Sequence, residues 1–226
     1  MNWNTALFQT SHSSVRYALR GDTSAERILR KLIIAVDKNQ CSGVHLKSNS
    51  KNHDRLLNAG HKLFQLPLPY GDYIQITPQI EGIIKRRGTR LCKADLMGAI
   101  KISVDRKASL SEICGNICGG KKSHERFQNE LIKAQQCGCK MYILVEDDSA
   151  GEVRDVFKWV NPRAKMYYIN KSKGRKVPSK PPTNGQTIAK AMMTIEYKYG
   201  CTFVFCKPSE AAEKIVELLE GKHENV

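Results

Sequence analysis

The sequence predicts an α/β fold in which strands and helices alternate along the chain. Three observations predict it. Compact apolar runs at Leu32 to Val36 and Met141 to Val145 each end at an acid, Asp37 and Glu146, and read as buried strands. The segments 71–76 and 100–107 alternate apolar and polar residues behind turn signals. Segments with helical spacing follow the strands, clearest at 123–136, where Phe127, Leu131, Ile132 and Ala134 share a face.

The elements follow in order. Residues 1–30 read as a flexible arm, because the first part is rich in Ser, Thr and Asn and lacks periodicity. Residues 31–150 read as the main domain. Its first strand ends at Asp37, and a second short strand lies around Leu63 to Leu66. Gly71-Asp72 then turns into the strand at Tyr73 to Ile76. Residues 80–100 carry Lys85, Arg86, Arg87, Arg90 and Lys93 and read as a basic insertion, a hairpin or a short helix. The strand 100–107 leads to helices at 109–118 and 123–136, then to the strand ending at Glu146. Residues 151–226 read as a basic linker and a C-terminal α/β extension packed on the main domain. Pro178, Pro181 and Pro182 mark the loop, and helix 187–199, strand 202–205 and helix 210–219 close the chain.

The 226 residues carry 37 Lys and Arg against 22 Asp and Glu, a net charge of +15, which favours a polyanionic partner with nucleic acid foremost. No run approaches the ~18 apolar residues of a membrane span, so no membrane partner is expected. The eight cysteines lack the repeated spacing of a zinc site or a secreted disulfide framework, and read as small buried hydrophobes. No secretory signal opens the sequence, and a cytoplasmic setting is expected.

The chemistry concentrates in a few charged residues near strand ends. Asp37 ends one strand, Asp72 begins another, and Asp105 and Lys107 stand two apart on a third. Residues at i and i+2 of a strand share a face, so Asp105 and Lys107 point to one site and Arg106 points away. Two carboxylates from separate strands form a hard oxygen site suited to Mg2+. A lysine beside them can orient a water and balance charge on a phosphate. Phosphodiester hydrolysis needs this set.

The order of these residues resembles the nuclease domain of the XPF-type structure-specific endonucleases (the ERCC4 domain). Gly71-Asp72-Tyr73 matches the family's G-D-Y motif, and Asp105-Arg106-Lys107 matches its E-R-K motif. Val36-Asp37, Asn116-Ile117, His124-Glu125-Arg126-Phe127, Glu130-Leu131 and Tyr142 to Glu146 extend the resemblance across about 31–150. It is similar above all to small stand-alone versions from bacteria, phage and mobile elements. Three positions depart from the family pattern. Gln40 stands where a glutamate is usual, Asp105 replaces the motif glutamate, and the motif's last acid falls one residue late, at Glu112.

The resemblance implies a restriction-endonuclease-like PD-(D/E)xK fold, a central mixed sheet flanked by helices. It implies a Mg2+- or Mn2+-dependent DNA endonuclease, acting on branched or nicked DNA. Asp72 and Asp105 would ligate the metal, with the Arg106 carbonyl as a third ligand. Lys107 would position the attacking water, Asp37 would act as an outer ligand, and Glu112 would be a supporting acid or a helix-start charge. Arg106 would touch DNA phosphate or brace the site. Arg86, Arg87 and Arg90 in the insertion, and Lys173, Arg175 and Lys176 in the loop, are expected to grip phosphates, in contacts indifferent to sequence and sensitive to salt. A homodimer is common in the family. The alternative, kept open by Gln40, is a non-catalytic DNA-binding subunit with a degenerate nuclease site.

Overall fold

Six strands form one mixed sheet between two helical layers in the computed structural model, which describes residues 31–38 and 43–225. In chain order the elements are β1 (Ile33–Asp37), α1 (Gly43–Asn58), β2 (Lys62–Leu66), β3 (Tyr73–Gln75), α2 (Pro78–Arg87), α3 (Lys93–Leu96), β4 (Ile102–Lys107), α4 (Leu110–Cys118), α5 (Lys121–Gln136), β5 (Lys140–Glu146), α6 (Pro162–Ser172), α7 (Gly185–Tyr199), β6 (Thr202–Cys206) and α8 (Ala211–Leu219). The strand order is β2-β1-β3-β4-β5-β6. β3 runs antiparallel to both neighbours, and the other pairings are parallel.

The sheet buries both faces. On one, Ile34, Val36, Tyr73, Val104, Tyr142, Leu144 and Val204 pack with Leu56 of α1 and with Ile215 and Leu218 of α8. On the other, Ala35, Ile74, Ile143, Val145 and Phe205 pack with Ile113 of α4, Phe127 and Leu131 of α5, and Ile188 and Met192 of α7. The alternation along each strand therefore assigns every side chain to a layer. Ser103, Asp105 and Lys107 face α4 and α5, whereas Val104 and Arg106 face α1 and α8.

Three segments differ from their sequence reading. α1 has no assigned element in that reading, because much of its inward face is polar: Asn49, Asn52 and His53 are all buried. Of the two readings of the basic insertion the helical one holds and the hairpin does not, but there are two helices, joined by a short 3-10 turn. Thr77 caps α2 by accepting from the Ile80 N–H, and Pro78 occupies its first turn. The basic segment at 163–180 is helical as far as Ser172; Asn161 caps α6 and only Tyr167 of that helix is buried. β6 joins the main sheet beside β5. The arm at 1–30 and Gln40 lie outside the described residues. Among the described residues no helix is long and apolar enough to cross a membrane, and the described cysteines are all free thiols.

Candidate active site

Three adjacent central strands bring Asp37, Asp72, Asp105 and Lys107 to one end of the sheet, on the face covered by α4 and α5. All four are buried. They sit on the wall and floor of a cleft of about 630 Å³, which is also lined by Asn49, Glu112, Arg126, Phe127 and Glu130.

The turn that carries Asp72 is held from several sides. Gly71 has φ of +67°, a conformation that side-chain-bearing residues rarely adopt. A Cβ there would also meet the Ser103 hydroxyl oxygen at 1.9 Å, so the glycine is required twice over. Asp72 donates its N–H to the Val104 carbonyl at 2.8 Å, and its carbonyl accepts from the Asp37 N–H at 2.9 Å. The Asp72 carboxylate accepts the Arg106 N–H at 2.9 Å. Asp37 Oδ1 accepts the Leu68 N–H at 3.0 Å, which ties the end of β1 to the segment leading to the turn.

Lys107 Nζ donates to Asp105 Oδ1 at 2.8 Å and lies 2.7 Å from Oδ2. It also sits over the Phe127 ring, 5.6 Å from the centroid. Asp105 Oδ2 is buried, and the Lys107 ammonium is its near neighbour. Burial pushes the Asp72 carboxyl well above the ordinary carboxylate range, and the neighbouring Asp105 carboxylate pushes it further. Burial opposes the charge on Lys107, but the Asp105 and Asp72 carboxylates outweigh it and raise the ammonium's pKa.

This donor set fits a hard divalent cation. Two carboxylates repel each other in a buried site, and a cation between them relieves that repulsion. Among the described residues no three His, Cys, Asp or Glu side chains gather into a full ligand cluster, so backbone and water oxygens would complete the shell.

Arg106 faces the other layer. Its guanidinium is bonded to Glu146 through Nε and to Asn49 Oδ1 at 2.6 Å, and Asn52 also donates to Glu146 at 3.1 Å. The side chain is 7% exposed and braces β4 against β5 and α1. Glu112 follows the helix-start expectation: Ser109 caps α4, and the exposed Glu112 carboxylate accepts the Ala108 N–H at 2.8 Å. Arg86, Arg87 and Arg90 are exposed on and after α2, where Arg87 is paired with Asp95 at 2.8 Å. Lys173, Arg175 and Lys176 are exposed after α6. None of these six lines the cleft.

The family model for the ERCC4 domain matches residues 44–218, most of the chain. The chain belongs to the ERCC4 domain family. Its matched span includes Asp72, Asp105 and Lys107 and begins after Asp37. Among solved structures, XPF from Aeropyrum pernix is similar at 15% identity and a TM-score of 0.46, covering 85% of this chain and 65% of that one. XPF from Aeropyrum pernix in complex with DNA is similar at 15% identity and a TM-score of 0.47, covering 85% and 66%. The chain thus spans just under two thirds of the length of those structures. No curated protein matches the sequence.

In this ERCC4 domain one further acid belongs to the site. Glu130 Oε1 accepts the Gly71 N–H at 2.7 Å. Burial raises the Glu130 pKa, and so does the charge of Asp105. The signal was present in the sequence: Glu130 lies three residues after Phe127 and one before Leu131, beside the buried face of α5.

Proposed function

We propose that the protein is a DNA endonuclease that hydrolyses phosphodiester bonds with Mg2+ or Mn2+ at Asp72 and Asp105, and that it acts on branched or nicked DNA. The observation that carries this reading is the cleft floor, where the buried Asp72 and Asp105 carboxylates meet one buried ammonium, Lys107, which lies within 2.8 Å of both Asp105 oxygens. Family membership and the net charge of +15 support DNA as the substrate. When bound, the cation supplies a Lewis acid for the phosphate and a more acidic water.

The chain's own residues supply the remainder. Asp72 and Asp105 offer oxygens from two adjacent strands, with the Arg106 carbonyl as a third. Lys107 is held by Asp105 at the floor, where its ammonium can orient a water and balance charge growing on the phosphate oxygens. Asp37 supports the site from outside by fixing the Leu68 backbone.

The test is a cleavage assay on flap, nicked and linear DNA with Mg2+, Mn2+ or EDTA. Wild type is expected to cut only with a divalent metal, and Asp72→Ala and Lys107→Ala are expected to lose cutting. Metal-dependent cutting that survives both substitutions overturns the assigned site. Binding without cutting under every metal overturns hydrolysis and favours a DNA-binding subunit.

A further inference from the structure

A buried site on a sheet needs a surface that delivers its substrate at a set distance. We infer that α5 is that surface: Lys122, Arg126, Asn129 and Lys133 form a rail for the sugar-phosphate backbone of duplex DNA. This rests on the DNA substrate proposed above and adds the surface that holds it.

The argument starts from helical geometry. Positions 122, 126, 129 and 133 are spaced i, i+4, i+7 and i+11, which places them along one stripe. Eleven residues of helix rise roughly 16 Å, the axial length of about five nucleotides of a duplex strand. All four side chains are exposed, and all four line the cleft that contains Asp72, Asp105 and Lys107. Lys93 of α3 lines the same cleft. Glu125 is the one exposed acid on this side of α5, and Lys121 lies 3.8 Å from it.

The rail is also fixed in register. Glu130 holds the Gly71 N–H at 2.7 Å, and Phe127 lies beneath the Lys107 ammonium. The helix that carries the rail is thereby tied directly to the turn that carries Asp72 and to the floor lysine. A phosphate gripped by Arg126 or Asn129 therefore stands at a constant offset from the carboxylates. Of the other basic segments only Lys93 reaches the cleft, and Arg86, Arg87, Arg90, Lys173, Arg175 and Lys176 are all outside it.

The experiment measures binding of a short fluorescein-labelled duplex by anisotropy in EDTA, across a salt series. It compares wild type with Lys122→Glu/Lys133→Glu and with Lys190→Glu/Lys207→Glu, an equal charge change at exposed sites outside the cleft. Circular dichroism checks that each variant is folded. The rail variant is expected to bind about 10- to 100-fold more weakly. The slope of log K against log salt should shrink by about 2, at roughly 0.9 for each phosphate that is no longer neutralised. The control pair is expected to keep the wild-type slope.

A rail variant that matches the control pair in affinity and slope overturns the rail. If that happens while wild type still cuts with metal, the hydrolytic reading stands and the rail alone falls. If the slope drops as expected but no metal supports cutting, the rail stands and the hydrolytic reading falls.

Discussion

β4 carries two ion pairs that face opposite layers and are finished differently. On the α1 side, Arg106 and Glu146 are closed off from solvent: Asn49 accepts from the guanidinium, Asn52 donates to the Glu146 oxygen that also takes Arg106 Nε, and the pair's side chains are 7% and 5% exposed. On the α5 side, Lys107 and Asp105 lie at the bottom of an open cleft, with the ammonium within 2.8 Å of both Asp105 oxygens. The first pair is shut between packed layers, and the second faces a space that a ligand can enter. Neighbouring residues of one strand reach these two settings because the strand's two-residue period sends them to different layers.

The largest effect should come from the open pair. Lys107→Ala is expected to lower cleavage by about 10²- to 10³-fold, the scale for removing a group that stabilises transition-state charge. Binding in EDTA should change far less. Loss of fold instead, read by circular dichroism, would make the open pair structural like its counterpart.

The closed pair should behave in the opposite way. Glu146→Leu leaves Arg106 buried without its anion and is expected to cost about 3–5 kcal/mol of stability in urea unfolding. Arg106→Met combined with Glu146→Leu should recover most of that loss. If the double variant is no better than the single one, the Asn49 and Asn52 bonds matter more than the charges.

Glu130 tests the link between α5 and the Asp72 turn. Glu130→Ala leaves the Gly71 N–H without its acceptor, at about 1–3 kcal/mol, and cleavage should fall about tenfold. Glu130→Gln keeps an acceptor oxygen and should restore most of both. Equal losses in the two variants would assign the effect to charge.

The two layers should also answer pH with opposite sign. Burial, aided by Arg106, lowers the His53 pKa to about 4 on the closed side. Stability from the neutral His53 is present above 6.5 and is lost as pH falls toward 4. Asp72 on the open side has a raised pKa, so its contribution is present at low pH and is lost as pH rises through that raised value. The two windows overlap above pH 4, so in wild type the opposing terms offset each other there. Melting temperature in EDTA should therefore fall by a few degrees toward acid in Asp72→Asn, where only His53 acts, and fall as pH rises in His53→Gln, where only Asp72 acts. A divalent cation that fails to reduce the fall in His53→Gln would count against metal binding at Asp72.

The smallest effect is expected at Glu112. Glu112→Gln should cost about 0.3–1 kcal/mol, the usual worth of an acid at a helix start. A tenfold or greater loss of cleavage would place Glu112 among the working acids of the cleft.

Much of the fold was legible because most elements obey a simple period. The strand runs ending at Asp37 and Glu146, the alternation of 100–107 and the Phe127-Leu131-Ala134 face all read directly as buried surface. α1 did not, because Asn49, Asn52 and His53 are buried polar residues that a hydrophobic period counts as exposed. α6 was hidden by its basic composition, although Asn161 and Pro162 marked its start.

Which residues can share a face follows from residue order alone, since the i, i+2 relation of Asp105 and Lys107 is a property of any extended strand. The charge that favours an anionic partner follows from composition alone. Only the tertiary structure decided which of these residues converge. Asp72 and Asp105 come together, with Asp37 at the same end of the sheet, because β1, β3 and β4 are neighbours, and strand order depends on how both layers bury their apolar faces. The same packing set α5, rather than the more basic segments, beside the cleft, because Phe127, Leu131 and Ala134 bury only against that face.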